Sequence, residues 1–223
     1  MCGRSTRCSK VEIEGFTMTF KPYQLDRTLF EPSFNVAPSQ PQLVLLRDDR
    51  GVAGRGMKWG LVPAGDHGRA RTALVNARAE TADVMPLVRD AFRHRRCVIV
   101  ADGFYEWRKD GKSRQPFFLR LKGGRAFGFA GLWERNESGD ETCTLLTTRP
   151  NELVAPVHNR MPCILDREPA ARWLDAATGS DRLKEMLLPI AAAGMECWPV
   201  STFVNSPAND GPECIVIAAA IAD

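Results

Sequence analysis

The sequence predicts an α+β fold: a single domain built on curved, mainly antiparallel β-sheets with a few peripheral helices. Three observations favour this class. Short apolar segments of strand length recur along the chain, tight turns join several of them, and no regular alternation with crossover helices indicates a parallel sheet. The 223 residues can bury a full core, and 44% hydrophobic and 26% charged residues are typical of a globular protein. We expect one domain over residues 1–223.

The predicted strands are short apolar or β-branched runs that stop at turn residues. In chain order they are 42–47, 57–63, 97–101, 115–121, 126–133, 142–148, 163–165, 197–200 and 214–217. The best turn signal is Lys109-Asp110-Gly111-Lys112, because glycine after aspartate takes positive φ at little cost and suits a hairpin. A hairpin is therefore predicted where the chain passes from 102–107 to 115–121.

Three helices are predicted at the periphery of the sheets. Capping residues favour a helix over 81–93, a second over 166–174 and a third over 181–188. The segment 11–20 mixes apolar and acidic residues without a clean period, so a short helix and a loop remain equally open. The polar run 64–72 is predicted to be a loop.

Composition limits the classes of function. Seven cysteines form an odd set without a CxxC pair or zinc-like spacing to the three histidines, so we expect no disulfide framework, no metal and no cofactor. No apolar run is long enough to span a bilayer and no signal peptide is recognised, which predicts a cytoplasmic monomer without membrane contact, associated with the nucleoid in a bacterium. The net charge of +3 is compatible with a nucleic-acid partner.

The start of the chain, Met1-Cys2-Gly3-Arg4, carries distinctive chemistry. Removal of Met1 leaves an amine and a thiol on adjacent carbons of Cys2. This aminothiol can trap an aldehyde first as an imine and then as a five-membered thiazolidine, or it can attack an acyl carbon through sulfur. Both groups titrate near neutrality in the absence of perturbation, and we expect Arg4 to lower the pKa of the thiol.

Four kinds of polar or aromatic position interrupt segments that otherwise look structural. Glu106 lies between two aromatic residues of a strand, where burial would raise its pKa and suit it to proton transfer; alternation would instead place it on the solvated face. Asn76 ends an apolar run and is either an amide donor to a reacting oxygen or a capping residue. His158 lies on a proline-bounded loop as a proton shuttle or a structural residue. Trp59 and Trp107 either stack on bases or belong to the core.

Eight blocks of this sequence, in order, resemble the SOS response-associated peptidase (SRAP) family, over residues 1 to about 215. The blocks are Met1-Cys2-Gly3-Arg4, Phe34-Asn35-Val36-Ala37-Pro38, Trp59-Gly60-Leu61-Val62-Pro63, Asn76-Ala77-Arg78-Ala79-Glu80-Thr81, Arg95-Arg96-Cys97, Ala101-Asp102-Gly103-Phe104-Tyr105-Glu106-Trp107, His158-Asn159-Arg160-Met161-Pro162 and Val204-Asn205-Ser206.

The resemblance implies a role in the DNA-damage response. Members of that family recognise abasic sites in single-stranded DNA, in some cases at junctions with duplex, and link their mature amino-terminal cysteine to the sugar as a thiazolidine. It implies that Cys2 is the nucleophile and that Asn76, Glu106 and His158 complete the site. The residues that it implies for DNA binding are Arg4, Asn35, Pro38, Trp59, Gly60, Arg78, Trp107 and Arg160. The family name suggests autocatalytic removal of Met1, a hydrolase activity, and a lyase-type classification is also compatible.

Two departures and three alternatives stay open. The run 64–72 lacks the tryptophan that family members commonly carry there, and Ser5 and Thr6 replace a bulkier residue after Cys-Gly-Arg. A glutamine amidotransferase with an amino-terminal nucleophile also begins with Cys-Gly, although no Asn-Gly pair for its oxyanion hole occurs in this chain. A cysteine peptidase that uses Cys2, His158 and Asn76, and a non-covalent single-strand binder, are the other readings.

Overall fold

The computed structural model describes residues 2–63 and 73–218. These ranges form fourteen strands and four α-helices, which confirms the predicted α+β class. The strands are β1 (Ser5–Arg7), β2 (Gln24–Leu25), β3 (Ser33–Val36), β4 (Pro41–Asp48), β5 (Gly51–Trp59), β6 (Asn76–Arg78), β7 (Arg96–Ala101), β8 (Gly103–Asp110), β9 (Ser113–Leu121), β10 (Phe127–Arg135), β11 (Glu141–Thr148), β12 (Met161–Pro162), β13 (Ile164–Leu165) and β14 (Met195–Pro199). The helices are α1 (Lys10–Met18), α2 (Arg89–His94), α3 (Arg167–Leu174) and α4 (Ser180–Glu185).

The larger sheet closes into a barrel. Its strands follow the order β12-β11-β10-β7-β4-β5-β2, and β11 also pairs with β5 in parallel, so β4, β5, β7, β10 and β11 form a ring. Close approach of β7 and β10 depends on Gly128, where an added Cβ would lie 2.2 Å from Cγ1 of Val98. Curvature at such positions is what lets a sheet close on itself.

The second sheet, in the order β14-β9-β8-β1-β3, continues from the barrel at a corner. The chain leaves β7 and enters β8 through Asp102, which is only 4% exposed. Its carboxylate accepts hydrogen bonds from the Thr6 hydroxyl at 2.6 Å and from the Ser9 backbone N–H at 2.7 Å. A buried carboxylate with two donors is well compensated, so this corner ties the start of the chain to the junction of the two sheets.

Both faces of the barrel wall are buried, which explains why its strands read as continuous apolar runs. Along β7, Val98 and Val100 join the core that includes residues of α1 and α3. Ile99, on the opposite face of β7, joins a core that the second sheet shares through Phe104. Cys2 belongs to this second core, so the start of the chain lies between the barrel and the second sheet.

Several predicted elements differ from the structure. The helix predicted over 81–93 is confirmed only in its last part: a 3-10 turn occupies Ala79–Thr81 and α2 begins only at Arg89, because Pro86 interrupts the segment. The last predicted strand is a 3-10 turn, Pro212–Ile215, followed by a single bridge from Ile217 to Val200. The segment 11–20, for which helix and loop were both open, contains α1. The predicted loop over 64–72 lies outside the described residues.

Within residues 2–63 and 73–218, no helix combines the length and the apolar character needed to cross a bilayer.

Candidate functional site

Strand register brings the start of the chain to the middle of β8. β1 pairs with β8 in antiparallel register, and the Tyr105 backbone N–H donates to the Arg4 carbonyl at 3.1 Å. Extension of this register towards the amino terminus places Gly3 opposite Glu106, and the charge of Glu106 acts on the thiol of the adjacent Cys2. Backbone pairing therefore brings the start of the chain close to a residue that lies 104 positions after Cys2 in the sequence.

The Cys2 main chain and side chain are both held in place. The residue is fully buried, and its carbonyl accepts a hydrogen bond from Nδ2 of Asn76 at 2.9 Å. Its thiol lies 3.6 Å from the Arg4 carbonyl. Burial raises the pKa of the Cys2 thiol well above its usual value, and the charge of Glu106 adds to the increase. The sulfur is therefore a protonated thiol at neutral pH.

Arg4 lowers the pKa of this thiol only through a backbone hydrogen bond, and burial outweighs that contribution. The Arg4 guanidinium points away from the sulfur and donates to the carbonyls of Val204 and Asn205 at 3.2 and 3.3 Å. It also lies 5.9 Å from the centre of the Trp107 ring, within the range of a cation–π contact. Arg4 consequently joins the first strand to the 204–205 segment and faces the surface.

Glu106 and His158 form an acid–base pair close to Cys2. Glu106 is 1% exposed, and burial raises its pKa to about 7. Nδ1 of His158 lies 3.9 Å from its Oε1, and burial lowers the pKa of this imidazole. Nδ1 also lies 3.0 Å from the Arg160 backbone nitrogen and 3.2 Å from the Arg160 carbonyl oxygen, so the main chain of the loop holds the ring in place. Near pH 7 the carboxyl is thus poised between its two protonation states beside a neutral imidazole.

The segment 76–80 contacts both Cys2 and the loop that carries His158. Asn76 opens β6, which pairs in parallel with β11, and Glu80 follows one turn later. The Glu80 carboxylate accepts two hydrogen bonds from the Arg160 guanidinium, both at 2.7 Å, while this guanidinium also donates to the Thr147 carbonyl. A bidentate pair of this kind fixes orientation as well as charge. Arg160 is two residues from His158, so the pair also anchors the loop of the histidine.

An open groove of about 440 Å³ runs beside the start of the chain. The residues that line it are Gly3, Arg4, Pro38, Trp107, Arg114 and Asn205. Three of them were predicted as DNA-binding residues, and Arg114, Asn205 and Gly3 were not. The register could have revealed Arg114, since it lies two residues before Pro116, the partner of Trp107 in the hairpin.

Three predicted DNA-binding residues are buried and do not line the groove. Asn35 is 1% exposed, and its amide donates to the carbonyls of the 204–209 segment at 2.8–3.0 Å. Trp59 is 1% exposed in the core and donates from Nε1 to the Val75 carbonyl at 2.9 Å. Gly60 is buried with φ of 126°. The structure thus places these residues where they support the fold.

The two remaining predicted arginines differ in their surroundings. Arg78 is exposed at the end of β6, opposite Thr147 of β11. The Arg160 side chain is only 17% exposed and is engaged by Glu80. Both lie at the Thr147 end of β11. Among residues 2–63 and 73–218, no group of three or more His, Cys, Asp or Glu side chains is arranged to hold a metal ion.

Comparisons with known proteins agree on one family. The family model described as SOS response associated peptidase (SRAP) matches residues 1–207. The abasic site processing protein YoqW of Bacillus subtilis is 39% identical over 227 residues, covering 96% of this chain and 99% of that protein. The abasic site processing protein HMCES of Gallus gallus is 33% identical, covering 88% of this chain and 69% of that protein. YedK of Escherichia coli, also an abasic site processing protein, is 30% identical.

Solved structures share the fold. A protein from Bacteroides thetaiotaomicron superimposes with a TM-score of 0.81 at 22% identity, over 98% of this chain and all of that one. A phage-related protein from Bordetella bronchiseptica gives a TM-score of 0.68 at 26% identity, over 89% of this chain and 94% of that one.

Proposed function

Because the chain belongs to the SOS response associated peptidase (SRAP) family, we propose that it processes abasic sites in DNA by covalent attachment through Cys2. Relatives over nearly the whole chain carry the name abasic site processing protein. The proposed substrate is the aldehyde form of an abasic deoxyribose in single-stranded DNA. The proposed product is a thiazolidine that includes the nitrogen and sulfur of Cys2.

The observation that carries this proposal is the group of side chains around Cys2. An acid with a pKa of about 7, an imidazole and an amide lie beside one residue that becomes an aminothiol when Met1 is removed. Buried titratable groups with shifted pKa values are typical of sites that transfer protons at neutral pH. The adjoining groove provides the approach for a strand of DNA.

The thiol and the amine have different roles in the proposed reaction. Since the thiol is protonated, the amine of Cys2 attacks C1′ of the aldehyde first and gives a carbinolamine. Glu106, as the acid, donates a proton to the departing hydroxyl, which leaves as water and produces an iminium ion. The sulfur then adds to C1′ as its proton passes to the Glu106 carboxylate or to His158. The overall reaction joins aldehyde and aminothiol with loss of one water.

Asn76 is proposed to position the reacting amine. Its Nδ2 holds the Cys2 carbonyl, while its Oδ1 is buried and accepts no hydrogen bond from the described residues. Removal of Met1 frees the amine of Cys2, and this amine is then able to donate a hydrogen bond to Oδ1 of Asn76. Such an amide would orient the nitrogen lone pair towards the sugar, which is where much of the advantage of an intramolecular site arises.

The DNA backbone is proposed to bind through the groove and the exposed arginine next to it. Arg4 and Arg114 bring positive charge to the groove, Trp107 offers a partly exposed ring for base stacking, and Arg78 adds a cation near Thr147. Contacts of this kind position a strand without reading its sequence. We therefore expect binding that depends on the lesion and is largely independent of neighbouring bases.

Removal of Met1 must precede the reaction, because the nitrogen of Cys2 is an amide while Met1 is attached. We propose that this step is a self-cleavage in which the same acid–base pair assists hydrolysis of the Met1–Cys2 bond. The alternative is cleavage by a separate aminopeptidase. Intact mass of protein expressed with Glu106→Gln distinguishes them: retention of Met1 in the variant alone supports self-cleavage.

The central test is adduct formation with an oligonucleotide that contains one abasic site. Protein whose intact mass shows that Met1 has been removed is expected to give a band that survives a denaturing gel. The mass of this adduct should equal protein plus DNA minus one water. Cys2→Ala, which keeps the amine, is expected to give no adduct that survives without borohydride. Duplex and single-stranded oligonucleotides of the same sequence test the strand preference.

Cys2→Ser serves as the matched control for the role of sulfur. This variant keeps the terminal amine and a side chain of similar size, so an imine can form. We expect a stable adduct only when borohydride reduces that imine. If Cys2→Ser gives as much stable adduct as wild type, the thiazolidine is wrong. If wild type binds the oligonucleotide but forms no adduct, the protein is a non-covalent binder.

A further inference from the structure

The hairpin between β8 and β9 extends beyond the second sheet as a two-stranded ribbon. β1 pairs with β8 only at Gly103 and Phe104, and β14 reaches β9 only as far as Phe117. From Arg108 to Gln115, no third strand of the described chain flanks the ribbon, and residues 108–114 are exposed. A two-stranded ribbon is marginally stable alone, so its length demands a reason.

This ribbon carries an excess of positive charge. Within 108–115 there are four basic residues, Arg108, Lys109, Lys112 and Arg114, and one acidic residue, Asp110. None of the four takes part in an ion pair within the described ranges, whereas arginines elsewhere, such as Arg95 and Arg120, are paired with glutamates.

One feature of the pairing is unfavourable for the ribbon by itself. Lys109 and Arg114 are directly opposite each other across the two strands. Like charges at directly opposed positions destabilise a β-ladder. They share a face of the ribbon with Trp107, because side chains alternate along a strand. This face begins at the groove, where Arg114 and Trp107 both line the cavity.

We infer that the ribbon is a second contact surface for DNA, and that it binds phosphates of the strand flanking the abasic nucleotide through Lys109, Lys112 and Arg114. The inference rests on the proposed function. From Trp107 to the tip is about 10 Å of strand, which is roughly three steps of 3.4 Å along a stacked nucleic-acid strand. Phosphates there would neutralise the opposed cations, and the groove would lead directly onto the ribbon.

The test compares two lengths of oligonucleotide. The variant that combines Lys109→Gln with Lys112→Gln removes two cations outside the groove. Binding is measured at equilibrium in a Cys2→Ala background, with an abasic site flanked by about two or by about eight nucleotides on each side, lengths that bracket common single-strand site sizes. We expect about tenfold weaker binding of the long oligonucleotide, a salt slope smaller by about 1.4, and unchanged binding of the short one.

A matched control variant combines Lys21→Gln and Lys122→Gln. It removes the same net charge from exposed lysines that do not line the groove, one following α1 and one at the opposite end of β9. We expect wild-type binding of both oligonucleotides. Equal weakening by the control, equal weakening of the short and long oligonucleotides, or no weakening at all would each overturn the inference.

A charge reversal separates binding from folding. Lys109→Glu places opposite charges across the ribbon from Arg114, so we expect an unchanged or higher melting temperature together with weaker binding of the long oligonucleotide. A lower melting temperature that accounts for the weaker binding contradicts the inference. Failure of the proposed function is recognised separately, because wild type with an intact Cys2 would then give no covalent adduct with either oligonucleotide.

Discussion

At the scale of single residues, burial decides the chemistry of the site. Cys2 and Glu106 are both removed from water, and burial raises the pKa of each. For the thiol this means that sulfur is protonated, so nitrogen is the first nucleophile in the proposed reaction. For the carboxyl it means a proton that can be given and taken near pH 7, which is the property of an efficient general acid.

The raised pKa of Glu106 predicts a pH-dependent stability. Between its ordinary value of 4.5 and about 7, the folded protein holds a proton that the unfolded chain has released. The free energy of unfolding must therefore fall as pH rises through this window, by about 3 kcal/mol in total. Glu106→Gln lacks this titration. Urea unfolding at intervals from pH 5 to pH 8 should show wild type losing stability relative to the variant, and parallel curves would contradict the prediction.

The same residue predicts a pH dependence of crosslinking. In the proposed reaction the protonated carboxyl expels water, so the rate is expected to decline above about pH 7, where Glu106 ionises. At lower pH the rate declines because the terminal amine, with an ordinary pKa of about 7.7–8.0, becomes protonated. Glu106→Gln, released from an amino-terminal fusion so that Cys2 is its first residue, should be about 10²-fold slower at pH 7 and should lose the alkaline decline. If Glu106→Gln keeps the wild-type dependence of crosslinking rate on pH, the general acid is a group other than Glu106.

At the scale of elements, β11 and the segments beside it assemble the site. β6 contributes Asn76, the turn after it contributes Glu80, and the loop before β12 contributes His158 and Arg160. None of these segments is long, and each takes its position from pairing with β11. The Glu80–Arg160 pair joins two of them, so it transmits the geometry of β6 to the histidine loop.

Glu80→Gln tests this connection. Loss of the bidentate pair leaves a mostly buried guanidinium without its carboxylate, and we expect destabilisation of about 1–3 kcal/mol with slower crosslinking. Glu185→Gln removes an exposed ion pair with Arg182 and should change stability by less than about 1 kcal/mol with no effect on the rate. Glu80→Asp should restore part of the rate. Denaturant unfolding and gel-based rates measure both, and equal behaviour of Glu80→Gln and Glu185→Gln would contradict the prediction.

At the scale of the whole molecule, the site lies where the barrel and the second sheet meet. The second core contains residues from both, including Cys2, Ile99 and Phe104. Asp102 fixes the corner between them and also holds the start of the chain through Thr6 and Ser9. Any loosening of that corner should therefore affect overall stability and the position of Cys2 together.

Asp102→Ala is expected to lower the free energy of unfolding by about 2–3 kcal/mol, because the buried Thr6 hydroxyl and the partly buried Ser9 N–H lose their acceptor. The crosslinking rate should fall in parallel under conditions where the protein remains folded. Asp110→Ala, an exposed change in the hairpin, is the matched control and should have little effect on stability. Thermal unfolding followed by circular dichroism checks the prediction, which is wrong if Asp102→Ala and Asp110→Ala have the same melting temperature.

The elements that the sequence predicted well are those with strong local signals. Continuous β-branched runs predicted β7 and β11, and the Asp110-Gly111 turn predicted the β8–β9 hairpin. The capping pattern at Asp166 predicted α3. The helix over 81–93 begins later than its capping residues indicate, because Pro86 interrupts the segment and α2 starts only at Arg89. The strand over 214–217 was wrong because an apolar run cannot show whether a partner strand is available to pair with it.

For the site, the chemistry of Cys2 and the family resemblance followed from residue identities and their order along the chain. The proximity of Cys2 to Glu106, the engagement of Arg160 by Glu80 and the burial of Trp59 did not. These depend on strand register and on closure of the barrel, which join positions far apart in the chain. Which groups are desolvated, and so which pKa values move, is decided only when those distant segments pack together.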